Sequence, residues 1–244
     1  MHKDYGRKNH LWSGIGVVLV LVIGLVLIRG CAMLTTPITV IFIDDGSYNS
    51  SLAETITLEP RGRTGKHFDV LYEKYRKQVG INTHDIVYDV VDDNSLASSE
   101  LIATAIEQAL LKKPTIINIS LAMTKRSFEL EEVIGRARAQ GIIVVASTLS
   151  GIEPVDSYPA SYSGVIGVFP LKETGRDYFF TNRQGGDIGV QVPSYGGSSL
   201  GAVLVTAGIV KCDIHSNEDE NIMVNELLRC NADNPNPSLV FHEA

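Results

Sequence analysis

Three cysteines in 244 residues are too few for a disulfide framework. None forms a CxxC pair and no His-rich tract accompanies them, so the chain holds no ligand set for zinc. Basic charge is also short. The 21 Lys and Arg stand against 28 Asp and Glu, a net charge of −7, which excludes the cationic footprint of a general nucleic-acid binder. Low-complexity tracts and internal repeats are missing. With 44% hydrophobic and 20% charged residues, the composition excludes disordered and collagen-like chains and is that of a folded domain. No motif calls for a cofactor or a metal ion. The turn Asp92-Asp93-Asn94 is rich in carboxylates, but its plain reading is a solvated turn.

What charge there is lies unevenly. Residues 1–35 carry Lys3, Arg7, Lys8 and Arg29 against Asp4, a net +3, which leaves −10 for the rest of the total of −7. Leu11–Ile28 is an uncharged run of 18 residues, LWSGIGVVLVLVIGLVLI. As a helix it spans about 27 Å, close to a hydrocarbon core. The three cations ahead of it place the N-terminus in the cytoplasm and export the chain beyond Arg29. We therefore expect a basic tail (1–10), a transmembrane signal anchor (11–28) and one extracytoplasmic domain (36–244), in a single-pass membrane protein. The alternative is a lipoprotein anchored at Cys31, since Ile28-Arg29-Gly30-Cys31 resembles a lipobox, with Arg29 as the departure. A buried core helix is a third reading, and a run that is apolar all round directly after a basic tail argues against it. In an exported domain Cys212 and Cys230 could close a disulfide loop or remain two buried thiols.

The body alternates strand and helix signals. Ile38–Ile43 (ITVIFI) is a β-branched run of the kind buried on both faces of a sheet. His67–Val79 has helical spacing of Phe68, Leu71, Tyr75 and Val79. Next come a strand over Asp85–Val91 and a helix capped by Ser98, which runs to Lys113 before Pro114. Thr115–Leu121, Ile142–Ser147 and Gly164–Phe169 read as strands, with a helix over Phe128–Gln140 ended by Gly141. Short strands near 177–181 and 188–192 precede helices from about Ser199 and over 218–228. Such alternation predicts a three-layer α/β domain, a parallel sheet with helices on both faces, whose site forms at the carboxyl ends of the strands.

Those ends carry Asp44-Asp45-Gly46, Ser120-Leu121 and Ser147–Ser150, and the residues around them fit a known pattern. VIFIDDGSYNSSL resembles the strand and loop of the catalytic Asp in subtilisin-like serine peptidases, with Asp45 where Ser or Thr is usual. IINISLAM resembles that family's cleft strand ending in S-L-G, and GIIVVAST its next strand. SYPASYSGVIGV is similar to its Y-P-A-x-Y-x-x-V-I-x-V segment, and GGSSLGAVLVTAG to its nucleophile motif. Five pieces in the same order, over about 38 to 229, identify the body as resembling this family. The resemblance implies a Ser nucleophile at Ser199, an orienting Asp at Asp44, a peptide-binding edge at Ser120, Leu121 and Ala122, and a cis bond at Tyr158-Pro159.

The base is the departure. In that family a helix opens with H-G-T-H, and here the stretch is Thr64-Gly65-Lys66-His67. Thr64 stands at the base position and cannot accept a proton at neutral pH. His67 matches the second His and is a substitute base only in a shifted register, while Lys66 would make a Ser–Lys arrangement. The oxyanion Asn position matches Ser150, and Ala122 stands where the cleft motif has Gly. In subtilisin itself, loss of the base costs on the order of 10⁶-fold in kcat, and loss of the oxyanion Asn about 10²–10³-fold. The expected function is a membrane-anchored pseudopeptidase that binds a peptide or protein partner by strand addition. The alternative is an active, atypical serine endopeptidase using Ser199 with His67 or Lys66.

Overall fold

A computed structural model describes residues 37–47, 53–58, 66–80, 83–149, 156–171, 180–182, 188–192, 197–217 and 219–233. The apolar run 11–28, Cys31, Thr64 and Ser150 lie outside the described residues. Among the described residues no helix is long and apolar enough to cross a membrane.

The domain from Ile38 onward is built on one eight-stranded sheet in the order β2-β3-β1-β4-β5-β6-β8-β7. The strands are β1 (Thr39–Asp44), β2 (Glu54–Thr57), β3 (His84–Asp89), β4 (Ile116–Ile119), β5 (Ile143–Ser147), β6 (Ile166–Leu171), β7 (Phe180–Asn182) and β8 (Ile188–Gln191). Seven run parallel, and β7 alone pairs antiparallel, with β8. That antiparallel edge corrects the all-parallel expectation. It needs no crossover, because β7 and β8 are consecutive and a short loop suffices for an antiparallel pair. The edge strand β2 was not foreseen. It has only four residues, its ends are exposed, and it lacks the apolar run that marks the central strands.

The helices are α1 (Lys66–Val79), α2 (Ser99–Leu110), α3 (Phe128–Ala139), α4 (Gly197–Lys211) and α5 (Glu220–Asp233). They cover both faces. On one side α1, α4 and α5 bury Phe68, Tyr75, Leu200, Val203 and Leu227 against Val40, Phe42 and Val145. On the other, α2 and α3 bury Ile102, Ile106, Leu130 and Ile134 against Ile41, Ile86 and Val144. Alternate residues of β1 therefore face opposite cores, as a strand in a middle layer requires.

Local chemistry sets the helix ends. Ser98 Oγ accepts from Leu101 N–H and Ser127 Oγ from Leu130 N–H, so each caps its helix. The first of these helices stops at Leu110 instead of Lys113 and turns through Lys113, whose φ is +50. The helix expected from Ser199 begins two residues earlier, at Gly197. The last one runs on to Asp233 and so includes Cys230, which forms a disulfide with Cys212. The Tyr158-Pro159 bond is cis.

Candidate active site at the carboxyl ends of the strands

The site is assembled from three strand ends and two helix starts. The strand β1 ends in Asp44, a buried residue. Its Oδ1 accepts the Asp45 N–H at 2.7 Å. Asp45 in turn accepts the Phe68 N–H at 3.0 Å, and Ser47 Oγ donates to Asp69 at 2.5 Å. These two bonds satisfy groups at the open start of α1 and tie it to the loop after β1. Gly46 makes that loop possible. Its φ is +75, and a Cβ there would lie 2.8 Å from the Asp89 carboxyl carbon.

The second oxygen of Asp44, Oδ2, is buried and has no hydrogen-bond partner among the described residues. Burial pushes the Asp44 carboxyl well above its usual range, and the neighbouring Asp45 charge adds to the rise. The Asp45 N–H and the Ser120 hydroxyl oppose it without cancelling it.

Beyond β4, Ser120 donates its N–H to Ile43 O at 3.2 Å. Its carbonyl accepts the Ser199 hydroxyl at 3.1 Å, and its own hydroxyl donates to Asn118 Oδ1 at 2.9 Å. Asn118 is fully buried, and its Nδ2 donates to Thr206 Oγ1 at 2.9 Å. Leu121 and Ala122 are half-buried. Among the described residues their backbone groups have no partner, whereas Met123 and Tyr158 exchange two bonds of 2.8 and 2.9 Å. A short free edge thus lies between two pinned positions.

Beyond β5, Thr148 donates its N–H to Val168 O at 2.8 Å, and its carbonyl accepts the Ser198 hydroxyl at 2.5 Å. Leu149 N–H donates to Ser157 Oγ at 3.2 Å. Ser198 and Ser199 sit in the first turn of α4, where the helix dipole favours negative charge.

Of the residues picked from the sequence, the structure gathers Asp44, Ser120 and Ser199 at one end of the sheet. Leu121 and Ala122 continue from Ser120 as the free edge. His67 is exposed in the first turn of α1 and makes no hydrogen bond or ion pair among the described residues. Lys66 opens the same helix. The pair Asn118 and Thr206 was missed. Its signal was one amide in an apolar strand and one hydroxyl in an apolar helix.

This α/β arrangement is that of the subtilisin-like proteases. No protein-family model matches the chain. A thermostable alkaline protease of Halalkalibacterium halodurans is 34% identical over 104 residues, which is 43% of this chain and 28% of that protein. The chain thus spans little more than a quarter of the curated relative. Among solved structures, the protease domain of PatA, as a serine-to-alanine mutant, aligns at a TM-score of 0.53 and 14% identity, over 78% of this chain and 86% of that one. The prenylagaramide maturation protease PagA aligns at 0.56 and 19% identity, over 82% and 87%.

Proposed function

We propose that the chain is a membrane-anchored, extracytoplasmic subtilisin-like domain that has lost peptidase activity and holds a peptide or protein partner. One observation carries the reading. Among the described residues the buried Asp44 keeps an oxygen with no partner, while the Ser199 hydroxyl donates to a backbone carbonyl. In a Ser–His–Asp system that carboxylate would orient an imidazole, and the serine proton would point to it. A serine whose proton is held by the Ser120 carbonyl is an ordinary alcohol at neutral pH. Thr64 at the base position agrees with this.

The free backbone of Leu121 and Ala122 supports the binding part. An extended peptide could pair with these groups, and strand addition draws its affinity from such main-chain bonds. The run 11–28 supplies the anchor, and the Cys212–Cys230 disulfide fits an oxidising compartment outside the cytoplasm. Protease protection of the full chain in sealed membranes tests the topology. Degradation of the domain only from the outer face is expected, and degradation only from the cytoplasmic face would overturn it.

A second reading, an active endopeptidase, is favoured by the Asp45 contact to Phe68 N–H, which draws the start of α1 to the end of β1. His67 lies beside that contact. Labelling of the full chain in detergent with a fluorophosphonate, next to Ser199→Ala, separates the two. No Ser199-dependent adduct on a folded protein is expected. An adduct lost in Ser199→Ala would overturn the inactive reading and make His67 the first base to test.

A further inference from the structure

The helices α1, α2 and α3 each join the end of one parallel strand to the start of the next, and α4 starts beside Ser120. All four therefore start at the site end of the sheet and finish at the other. Carboxylates gather at the starts. Asp69, Glu100, Glu129 and Glu131 stand in first turns, and β1 and β3 end in Asp44 and Asp89. Cations gather at the finishes. The last turn of α1 carries Arg76 and Lys77, that of α3 Arg136 and Arg138, and α4 closes on Lys211. Lys112 and Lys113 follow the end of α2. Each placement suits the dipole of its own helix. Because the four helices run the same way, the placements add up to an acidic site end and a basic end where the strands start. Three of these cations meet carboxylates: Arg76 meets Asp85 at 3.3 Å, Lys112 meets Glu54 at 3.9 Å, and Arg136 meets Glu107. Even with these and the exposed Asp213, cations stay in excess over the finishes of α1 to α4.

The chain enters the domain at this basic end. There Ile38 O accepts the His84 N–H at 2.9 Å, and Thr39 O accepts the Thr115 N–H at 2.8 Å. Just before Thr115, the turn after α2 presents Leu111, whose surface is 83% exposed, followed by the exposed Lys112 and Lys113. An apolar tip beside two cations suits a lipid interface, where the apolar group enters the headgroup boundary and the ammonium groups meet anionic heads. The tether points the same way. Ten residues, 29–38, lie between the apolar run and β1. Fully extended they span about 35 Å, less than the roughly 40 Å width of a domain of this size. In an anchored chain the basic end is therefore the one held toward the bilayer.

We propose that the strand-start end of the domain, with Leu111, Lys112 and Lys113 at its tip, docks on an anionic phospholipid surface. The proposal rests on the reading of the chain as membrane-anchored. Docking of this end directs Ser199 and the free edge at Leu121 and Ala122 away from the lipid. The length of the 15-residue α4, about 22 Å, separates them from it, so a soluble peptide or protein can reach them.

The test places the full chain in vesicles of phosphatidylcholine, brominated on its acyl chains, with or without phosphatidylglycerol. Bromine quenches a tryptophan that enters the lipid. The one native tryptophan is removed by Trp12→Phe, and Leu111→Trp or Leu96→Trp supplies the reporter. Both positions are exposed, and Leu96 lies at the site end, beyond β3. Quenching of Leu111→Trp is expected with phosphatidylglycerol and not without it, and Leu96→Trp should stay unquenched. Adding Lys112→Gln and Lys113→Gln should lower the ratio of docked to undocked domain about thirtyfold, roughly fivefold for each cation. Quenching of both reporters alike, or of Leu111→Trp equally in both lipids, overturns the docking, as does no quenching at all on a chain that floats with the vesicles. Flotation is read at about 1 M salt, where charge attraction is screened within about 3 Å. A chain that leaves the vesicles there has no anchor, which sinks the anchored reading and the docking that rests on it. The two failures are thus distinct.

Discussion

Removing the Asp44 charge should stabilise the domain at neutral pH, the reverse of what substitution of a working catalytic carboxylate network would do. Asp44 is almost fully enclosed, with one oxygen bonded to Asp45 N–H and the other without a partner among the described residues. Its pKa is raised in the folded state by burial and by Asp45. The native state therefore binds the proton more tightly than the unfolded chain. Stability falls as pH rises from the unfolded carboxylate value, about 3.9, through the raised native value, and is constant above it. An unsatisfied buried polar group costs about 1–3 kcal/mol, and more when charged. Asp44→Asn keeps the acceptor for Asp45 N–H and deletes the charge. The gain should be about 1–3 kcal/mol at pH 8, or a few degrees in Tm for a domain of this size. It should disappear near pH 3, where Asp44 is neutral in both states. Thermal melts of both proteins across pH 3–8 would read this directly. A loss of stability at pH 8 in Asp44→Asn would refute the reasoning, because it would mean that the carboxylate has a donor such as an imidazole.

Packing and backbone geometry set three further outcomes. Gly46→Ala should cost about 1–3 kcal/mol, since it forces a side chain into a left-handed conformation and against Asp89; urea unfolding would check this. Phe42→Ala should cost about 3–5 kcal/mol in the same assay, because Phe42 is fully buried and meets Phe68, Tyr72 and Tyr75 edge-on at 5.1–5.8 Å. Replacing both Cys212 and Cys230 with Ser should lower stability by about 3 kcal/mol in the chain-entropy account, and reductant should then no longer change the melting temperature.

Legibility in the sequence tracked the range of the interaction. The central strands were readable because their runs are buried on both faces and mostly apolar, as in Thr39–Asp44. The start of α2 was readable from Ser98, which caps within three residues, whereas the matching cap of α3, Ser127, was not singled out. That Asp44 and Ser120 lie at one end of the sheet was readable because each follows a strand run, while Ser199 was picked out only through the resemblance of its segment to the family motif. The edge strand β2 was not, because its four residues hold a single apolar side chain, too short a run to stand out before it pairs with β3. The Asn118–Thr206 bond was not either. Its partners are 88 residues apart, and neither residue carries a local pattern naming the other.

The first turn of α4 explains why a helix expected from Ser199 begins at Gly197. Ser198 and Ser199 point to different strand ends: one hydroxyl donates to Thr148 O after β5, the other to Ser120 O after β4. The helix start therefore straddles the two neighbouring strands and is fastened to both. Each bond uses the single proton of its serine. Neither hydroxyl is then left to activate as a nucleophile or to donate to an oxyanion without first giving up a carbonyl. Acyl transfer needs donors aimed at the position where charge develops. What fixes the start of α4 here is thus the same pair of bonds that holds the site in its resting form, so any ligand that activates Ser199 must compete with the Ser120 carbonyl for its proton.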